Sequence, residues 1–183
     1  MKLYRIILVD DEEEVRKSII RKIKWEENGF LVAGDAENGE DALEKIEALE
    51  PDLILTDIRM PYMDGLTLAE RVRQKYPFMK IVIFSGYDDF EYAKQAIKLN
   101  VTEYILKPVN VEELTAILQK IKANLDQEIE QKRNVNLLRE NYIKSLPILR
   151  EQFLNELVNA PVASETVETR LKEYGIPLSG AQK

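Results

Sequence analysis

Four short apolar runs in this chain each end in a polar residue whose side chain could do chemistry. These residues are an aspartate pair, a single aspartate, a serine and a lysine: Asp10-Asp11, Asp57, Ser85 and Lys107. The run before Asp57, Leu53 to Leu55, shows no polar alternation, which is typical of a strand buried on both faces of a parallel sheet. The carboxyl ends of parallel strands meet at one edge, where ligands bind. We therefore expect these side chains to lie close together.

Carboxylates gathered at one edge need a positive charge beside them. Two like charges 4 Å apart repel by about 4 kcal/mol at an effective dielectric constant near 20. A hard cation such as Mg²⁺ offsets this repulsion with oxygen ligands, and Lys107 supplies a fixed ammonium group. For any one residue the alternative is a structural Lys–Asp ion pair or a helix cap. That alternative does not account for all four strand ends together.

Phosphoryl transfer to a carboxylate is the chemistry that uses such a set. An aspartate can accept the phosphoryl group covalently, as an aspartyl phosphate. A metal ion neutralises phosphoryl oxygens during the transfer, and a fixed cation holds the remaining charge. A hydroxyl such as that of Ser85 can then donate a hydrogen bond to a phosphoryl oxygen.

Strands and helices alternate over roughly the first 120 residues. The predicted strands are Tyr4 to Val9, Phe30 to Ala33, the run up to Asp57, Ile81 to Phe84, and a short strand within Val101 to Leu106. The predicted helices start near Glu12, at a cap on Asn38, and after the turn Asp64-Gly65. A fourth helix carries Phe90, Ala93 and Ile97 on one face. Successive βα units predict a parallel sheet with right-handed crossovers and helices on both faces.

A long helix is predicted from Val111 onward. Four leucines and isoleucines form a short heptad-like seam at spacings of four, three and four: Leu114, Leu118, Ile121 and Leu125. We expect this seam to pair with a partner helix, and the alternative is a core helix followed by a solvated charged one. The seam degrades from Glu128 to Asn134 and partly resumes at Val135, Leu138 and Tyr142. Pro147 is expected to interrupt the helix.

The last 36 residues, from Ile148, hold two more helical patterns, too little to bury a core of their own. One bears Leu149, Phe153, Leu154 and Leu157. Ser164 can cap the other, which ends at Tyr174 to Pro177. The chain then stops at Ser179 to Lys183 without a terminal element. We therefore predict three parts: a domain at 1–122, a helical linker and possible coiled coil at 123–146, and the start of a truncated helical region at 147–183.

The composition of the chain excludes several kinds of site and several classes of function. A net charge of -7 over 183 residues makes a broadly basic nucleic-acid surface unlikely in this chain. The absence of Cys excludes disulfides and thiolate sites, and the absence of His removes the commonest general base, the commonest zinc ligand and any phosphohistidine. The apolar run Ile6 to Val9 is too short for a signal peptide, and no segment predicts a membrane span. We expect a cytoplasmic protein.

Four motifs together resemble the receiver domain of two-component response regulators. They are Ile7 to Asp11, Thr56 to Gly65, Ser85 to Tyr87 and Tyr104 to Pro108, and the resemblance covers residues 3 to about 122. It implies a flavodoxin-like, doubly wound, five-stranded parallel sheet in the order 2-1-3-4-5. It also implies a phosphoprotein of phosphorelay signal transduction that is not a dedicated enzyme, although autophosphatase activity is compatible with it.

The resemblance gives the acidic residues roles in phosphorylation. Asp57 would be the phosphoacceptor for a sensor histidine kinase. Asp11, Asp57 and the backbone carbonyl of Arg59 would ligate Mg²⁺, and Asp10 would act on the metal mainly through water.

The remaining site residues would bind the phosphate and transmit its presence to the surface of the domain. Lys107 would pair with the phosphate and form a cis peptide bond with Pro108. Ser85 and Tyr104 would form a switch pair, in which the hydroxyl moves to the phosphate and the aromatic ring follows inward. The surface of the fourth helix, the fifth strand and the fifth helix would then change, and we expect a homodimer to form on phosphorylation.

A narrower resemblance links Trp25 to Phe30 and Ser85 to Ala93 to the YesN-like group of response regulators. That group of transcription regulators usually ends in an AraC-type pair of helix-turn-helix units. No such units are present, since residues 147–183 carry four Lys/Arg against five Asp/Glu. DNA would be contacted only through a domain that is not in this chain, and that domain is expected to lie beyond Lys183 or to be absent.

Two other functions compete with this interpretation. A phosphatase or phosphotransferase could use an aspartyl-phosphate intermediate on a metabolite. However, Asp10-Asp11 lacks the Asp-x-Asp spacing of haloacid-dehalogenase-like enzymes, and no glycine-rich phosphate cradle is evident. A receiver-like scaffold could bind a partner without phosphorylation, and the intact set of Asp57, Ser85 and Lys107 argues against it.

Overall fold

The computed structural model describes residues 3–86, 90–159 and 164–176. Within them the strands are β1 (Tyr4–Val9), β2 (Phe30–Ala36), β3 (Leu53–Asp57), β4 (Lys80–Ser85) and β5 (Glu103–Leu106). The helices are α1 (Glu13–Lys22), α2 (Gly39–Leu49), α3 (Gly65–Lys75), α4 (Phe90–Lys98), α5 (Val111–Asn159) and α6 (Ser164–Glu173). Residues Tyr87 to Asp89 of the motif after β4, and the predicted chain end from Pro177, lie outside the described residues.

The strands form one parallel sheet in the order β2-β1-β3-β4-β5, which confirms the predicted fold. The register pairs Val9 with Thr56, Asp57 with Phe84, and Ser85 with Leu106. The carboxyl ends of β1, β3, β4 and β5 therefore lie side by side.

Side chains alternate between the two faces of the sheet along each strand, and helices cover both faces. Ile54 packs on the side of α2, α3 and α4, in a cluster that includes Ile46 and Val72. Its neighbour Leu55 packs on the other side, in a cluster that includes Leu118 of α5. A doubly wound core results, as expected for successive βα units.

The heptad-like seam of α5 belongs to this core, so its predicted role in partner pairing is wrong. Leu114, Leu118 and Ile121 are fully buried against the sheet, and Leu125 is nearly so. The same spacing suits a coiled coil and a helix packed on a sheet. In this structure the seam packs on the face of the sheet that α1 and α5 cover. The alternative, a core helix continued by a charged one, describes the structure.

Pro147 also does not interrupt α5, which runs from Val111 to Asn159 with the proline inside it. Proline in a helix interior deprives the carbonyl four residues earlier of its N–H partner. That carbonyl belongs to Ile143, an exposed residue, so water can satisfy it. Favourable packing follows the proline, where Phe153 is buried and meets the ring of Tyr174 edge-on at 5.7 Å.

Smaller differences concern the element ends and one helix face. β2 runs three residues further than predicted, to Ala36, whereas β5 lies within the predicted Val101 to Leu106. The apolar face of α4 points outward: Phe90 and Ile97 are 76% and 74% exposed, whereas Ala96 is the residue that enters the core. The predicted cap is present on α2, where the Asn38 side chain accepts bonds from two backbone N–H groups.

The chain divides into two compact units, Met1–Asp126 and Gln127–Lys183. In the second unit, Arg150 Nε donates to the Tyr174 carbonyl at 2.6 Å, and Arg170 Nη1 lies 2.8 Å from Glu156 Oε2. Over residues 3–86, 90–159 and 164–176, no helix combines the length and apolarity needed to cross a membrane.

Truncation of the seam should test its place in the core. Leu118→Ala should lower the free energy of unfolding by about 2–5 kcal/mol, because it removes a fully buried leucine and leaves a cavity. Leu138→Ala is the matched control, since Leu138 is 68% exposed on the same helix, and it should change stability by less than about 0.5 kcal/mol. Urea denaturation measures both. Equal effects of the two substitutions would contradict the core assignment.

Candidate functional site

Lys107 bridges two carboxylates at the carboxyl edge of the sheet. Its Nζ lies 2.8 Å from Asp10 Oδ2 and 2.8 Å from Asp57 Oδ1. Both aspartates are nearly inaccessible, with 3% and 6% exposure. Since β1 and β3 are neighbours and β5 lies at the end of the sheet, the long Lys107 side chain reaches back to both. The structure thus brings Asp10 together with Asp57 and Lys107, which lie 47 and 97 positions further along the sequence.

Backbone groups hold the second oxygen of each carboxylate. Asp10 Oδ1 accepts from the Glu12 N–H at 2.9 Å, and Asp57 Oδ2 accepts from the Arg59 N–H at 2.9 Å. Each turn after the strand therefore donates to its own aspartate, as short Asp-initiated turns do. Both carboxylates are oriented with one oxygen to the backbone and one to Lys107.

Gly65 allows the β3–α3 loop to close over Asp57. A Cβ built on Gly65 would lie 1.9 Å from the carbonyl oxygen of Asp57, so no side chain fits there. The Gly65 N–H donates to the Ile58 carbonyl at 2.9 Å, and the Thr56 hydroxyl donates to the Asp57 carbonyl at 2.9 Å. The sequence predicted only a turn at Asp64-Gly65. The close approach could not be predicted because it depends on how the loop folds back onto the end of β3.

Ser85 lies at the end of β4, beside Lys107. It is 2% exposed, and its carbonyl accepts from the Lys107 N–H at 2.7 Å. The Lys107–Pro108 peptide bond is cis, as the resemblance implied.

Tyr104 packs its ring against the core cluster on the α3 and α4 side of the sheet. Its hydroxyl is buried and has no hydrogen-bond partner among the residues that the structure describes. A buried polar group left unpaired costs about 1–3 kcal/mol. Among the described residues, the ring is thus held in this position by apolar packing.

The other two residues of the predicted metal set lie at the rim. Asp11 is exposed directly after Asp10, and the Arg59 side chain is exposed after Asp57. Within the described part of the chain, no three acidic side chains converge as a ready metal site. The donor set nevertheless fits Mg²⁺, because Asp10 and Asp57 direct one hard oxygen each at a single cation, here the Lys107 ammonium.

Burial and charge shift the pKa values of the two central groups. Burial raises the pKa of Asp57, and the charge of Asp10 adds to that effect, while Lys107 and the Arg59 N–H oppose it. Burial acts to lower the pKa of Lys107, but hydrogen bonds and charge from Asp10 and Asp57 outweigh it and raise that pKa. Lys107 is therefore protonated at neutral pH, and the two carboxylates share its charge.

The sequence did not single out Arg16, although the structure places it at this site. Its side chain is 10% exposed, its Nη1 donates to the Asp10 carbonyl at 2.5 Å, and its Nε donates to Asp35 Oδ2 at 2.7 Å. An arginine in an amphipathic helix usually lies on the solvated face. The only sequence signal was its position on the helix that follows Asp10-Asp11.

A fold of this order, with an acidic pair, a single aspartate and a lysine at its carboxyl edge, defines a receiver. The family model for the response regulator receiver domain matches residues 6–119, and the chain belongs to this family. Among relatives, the transcriptional regulatory protein YesN of Bacillus subtilis is 37% identical over 158 residues, which are 85% of this chain and 42% of YesN. HptR of Staphylococcus aureus is 31% identical over 157 residues, which are 86% of this chain and 61% of HptR.

Solved structures give the same result for the fold. The receiver domain of AraT, a response regulator from Geobacillus stearothermophilus, is 39% identical and superposes with a TM-score of 0.66 over 69% of this chain and 98% of that one. A two-component transcriptional regulator AraC from Clostridium phytofermentans is 35% identical, with a TM-score of 0.63 over 68% of this chain and 98% of that one. The chain therefore contains a complete receiver and spans 42% and 61% of the two relatives above.

Raising the pH should destabilise the fold through Asp57. Because its folded-state pKa is raised, the folded protein holds this proton more tightly than the unfolded chain, and that stabilisation is lost as the pH rises through the folded pKa. Asp57→Asn removes the dependence, so its stability relative to wild type should increase as the pH rises from the ordinary aspartate pKa of about 4 through the raised folded-state pKa. Urea denaturation across this range measures the difference.

Asp126→Asn is a control of opposite sign. Hydrogen bonds from Lys122 and the Tyr4 hydroxyl hold the pKa of Asp126 below its ordinary value, so its stabilisation is present at neutral pH and is lost as the pH falls. The effect should be small because the side chain is 52% exposed. A pH-independent difference for Asp57→Asn, or a difference of the same sign in both variants, would contradict the assignment.

Proposed function

We propose that this chain accepts a phosphoryl group on Asp57 and relays the event to a transcription-regulator output. The observation that carries the proposal is the position of the Lys107 ammonium, 2.8 Å from Asp57 Oδ1 and 2.8 Å from Asp10 Oδ2. A nucleophilic carboxylate beside a fixed cation and a second carboxylate is suited to phosphoryl transfer. The family membership and the YesN and HptR relatives support the same function.

The transfer forms one bond and breaks another. An Asp57 oxygen attacks the phosphorus of a phosphohistidine or a small acyl phosphate, and the bond from phosphorus to the donor nitrogen or oxygen breaks. Lys107 leaves the carboxylate and pairs with a phosphoryl oxygen, while the Arg59 N–H keeps holding Asp57. The chain has no histidine, so a phosphohistidine must come from a partner, which we propose is a sensor histidine kinase.

Mg²⁺ is the cofactor that we propose for this step. Asp11, Asp57 and the Arg59 carbonyl would ligate it, with Asp10 acting through water, and it would neutralise charge on the phosphoryl oxygens. The chain's own contribution is to keep Asp10 and Asp57 buried, oriented and paired with Lys107 before the donor arrives.

Ser85 and Tyr104 would convert the modification into a surface change. Ser85 ends β4 next to Lys107, within the group that would meet a phosphoryl oxygen. The Tyr104 hydroxyl is buried without a partner in the described structure, so the ring gains no hydrogen bond by being inside. Its position can therefore follow small changes in the packing around Ser85.

We further propose that residues 1–122 form the receiver, 123–146 the linker and 147–183 the start of the output region. DNA would be bound by a domain outside this chain, in line with the greater length of YesN and HptR. The chain would act as a phosphoacceptor and not as a dedicated enzyme, since the product is its own modified side chain. A metabolite phosphatase and a phosphate-independent scaffold are the alternatives.

Phosphoryl labelling separates these functions. With Mg²⁺ and acetyl phosphate, wild type should take up label to about one phosphoryl group per chain, stable to acidic quenching. Asp57→Asn should abolish uptake, and Asp11→Asn should raise the Mg²⁺ concentration needed for half-maximal labelling. Mass spectrometry of the intact protein measures the label.

Asp64→Asn is the control, because Asp64 is an exposed cap of α3 and lies outside the proposed site. It should label like wild type. Full labelling of Asp57→Asn would contradict the assignment of Asp57 as the phosphoacceptor. Turnover of a phosphorylated metabolite without stable label would favour the phosphatase, and an unlabelled wild type would favour the scaffold.

The exposed apolar face of α4 and β5 is the surface that we propose for phosphorylation-dependent dimerisation. Phe90, Ile97 and Leu106 are all exposed on these neighbouring elements. Leu106 lies two residues after Tyr104 on β5, and Tyr104 packs against the core cluster that contains Ala96 of α4, so a shift of that ring would change this surface. The α5 seam cannot serve this purpose because it is buried in the core.

Substitution on this face should weaken dimerisation without affecting phosphorylation. Ile97→Asp should reduce the phosphorylation-dependent gain in dimer association by about tenfold or more, the effect of about 1.4 kcal/mol. Leu31→Asp is the control, since Leu31 is 44% exposed on β2, at the opposite end of the sheet from β5. Analytical ultracentrifugation with and without a phosphoryl mimic measures both. An unchanged gain for Ile97→Asp would show that dimerisation uses another surface.

A further inference from the structure

We infer that Arg16 is a positioning residue for phosphoryl transfer at Asp57, an inference that rests on the proposed function of the site. Arg16 lies on the first helix after the acidic pair and touches neither Asp57 nor Lys107 through any of its described hydrogen bonds. It acts through the backbone of Asp10.

The guanidinium is buried between two oxygens. Nη1 donates to the Asp10 carbonyl at 2.5 Å, and Nε donates to Asp35 Oδ2 at 2.7 Å. Hydrogen bonds from a charged donor are short and strong, and the planar fork of arginine fixes two acceptors at once. Asp35 lies in β2, so the contact ties the start of α1 to the neighbouring strand and to the end of β1.

This bond completes the fixation of Asp10. Its N–H donates to the Ala36 carbonyl at 3.1 Å, Oδ1 accepts from Glu12, and Oδ2 meets Lys107. Arg16 holds the one remaining polar group, the carbonyl. Every polar atom of Asp10 therefore has a partner.

The carbonyl of Asp10 and the N–H of Asp11 belong to the same peptide plane. By holding that carbonyl, Arg16 sets the direction in which the chain leaves β1 and thus where the Asp11 carboxylate can reach. Asp11 itself is exposed, and within the part of the chain that the structure describes its carboxylate has no hydrogen bond or ion pair that would orient it. Arg16 would therefore control how well Asp11 and Asp10 bind Mg²⁺ together, a role that supporting residues of metal sites share.

The competing explanation is a structural ion pair between Arg16 and Asp35. A structural pair would affect stability alone, whereas a positioning residue also affects Mg²⁺ binding. Arg73 provides a matched comparison, because it donates to backbone carbonyls that include Pro77 at 2.6 Å and Asn100 at 2.8 Å, which precede β4 and β5 at the amino edge of the sheet, opposite the acidic pair.

The experiment compares wild type with Arg16→Gln, Arg16→Lys, Asp35→Asn and Arg73→Gln, at a temperature where circular dichroism shows all five to be folded. Calorimetry measures Mg²⁺ affinity, and acetyl phosphate labelling measures the Mg²⁺ dependence of the rate. Arg16→Gln should weaken Mg²⁺ affinity about tenfold or more. Arg16→Lys should restore little of it, since an ammonium cannot span both oxygens. The Mg²⁺ affinity of Asp35→Asn should lie between the affinities of wild type and Arg16→Gln. Arg73→Gln should bind Mg²⁺ as tightly as wild type despite a lower stability.

Wild-type Mg²⁺ affinity in Arg16→Gln would overturn the inference and leave a structural ion pair. Full restoration by Arg16→Lys would also overturn it, since charge alone would then suffice. Failure of the proposed function gives a different result: wild type would not label at all, whereas the calorimetric comparison of the Arg16 variants would still give its own answer.

Discussion

Repulsion between the buried carboxylates of Asp10 and Asp57 is the constraint on which the rest of the site depends. Two negative charges removed from water at one sheet edge are unfavourable unless a cation lies between them. Lys107 meets this need from the far end of the sheet, which requires β3, β4 and β5 to end in register. Gly65 meets another need by letting the next loop pass directly against the Asp57 backbone. Burial, together with the charge of Asp10, still raises the pKa of Asp57, so Lys107 does not fully offset these two effects.

The strand ends could be predicted from the sequence because parallel strands obey a simple rule: buried apolar runs point their final residues to one edge. That rule placed Asp10, Asp57 and Lys107 together without knowledge of the strand order, which came from the family resemblance. Arg16 could not be found in this way. Its burial depends on Asp35 in β2 and on a backbone carbonyl, and neither partner leaves a mark in the local pattern of α1. Contacts to the backbone are the part of a site that residue types do not reveal.

The α5 seam and the α4 face show the limit of periodicity. Leu114, Leu118, Ile121 and Leu125 have a spacing that serves a coiled coil and a sheet-packed helix equally well. The ambiguity is resolved by the sheet, whose face beside α1 must be covered by the fifth crossover helix. Phe90 and Ile97 show the opposite error. Their helical spacing predicted a buried face of α4, but both side chains are exposed and the small Ala96 is buried. Where a helix packs closely on a sheet, the smallest side chain often marks the contact, and a hydrophobicity pattern undervalues it.

The burial of the α5 seam also explains how the exposed part of the same helix can form. Nucleation is the costly step in helix formation, and isolated helices of about 12–15 residues are marginal in water. Residues 131–144 are all exposed and receive little help from packing. They lie between two anchored segments, the buried seam before them and Phe153 after them. Each anchor supplies a nucleus from which the intervening turns propagate at low cost. The helical structure of residues 131–144 therefore depends on the packed segments at its two ends. If the first turns of α5 were to lose their packing in the receiver core, the helix content of residues 131–144 would decrease.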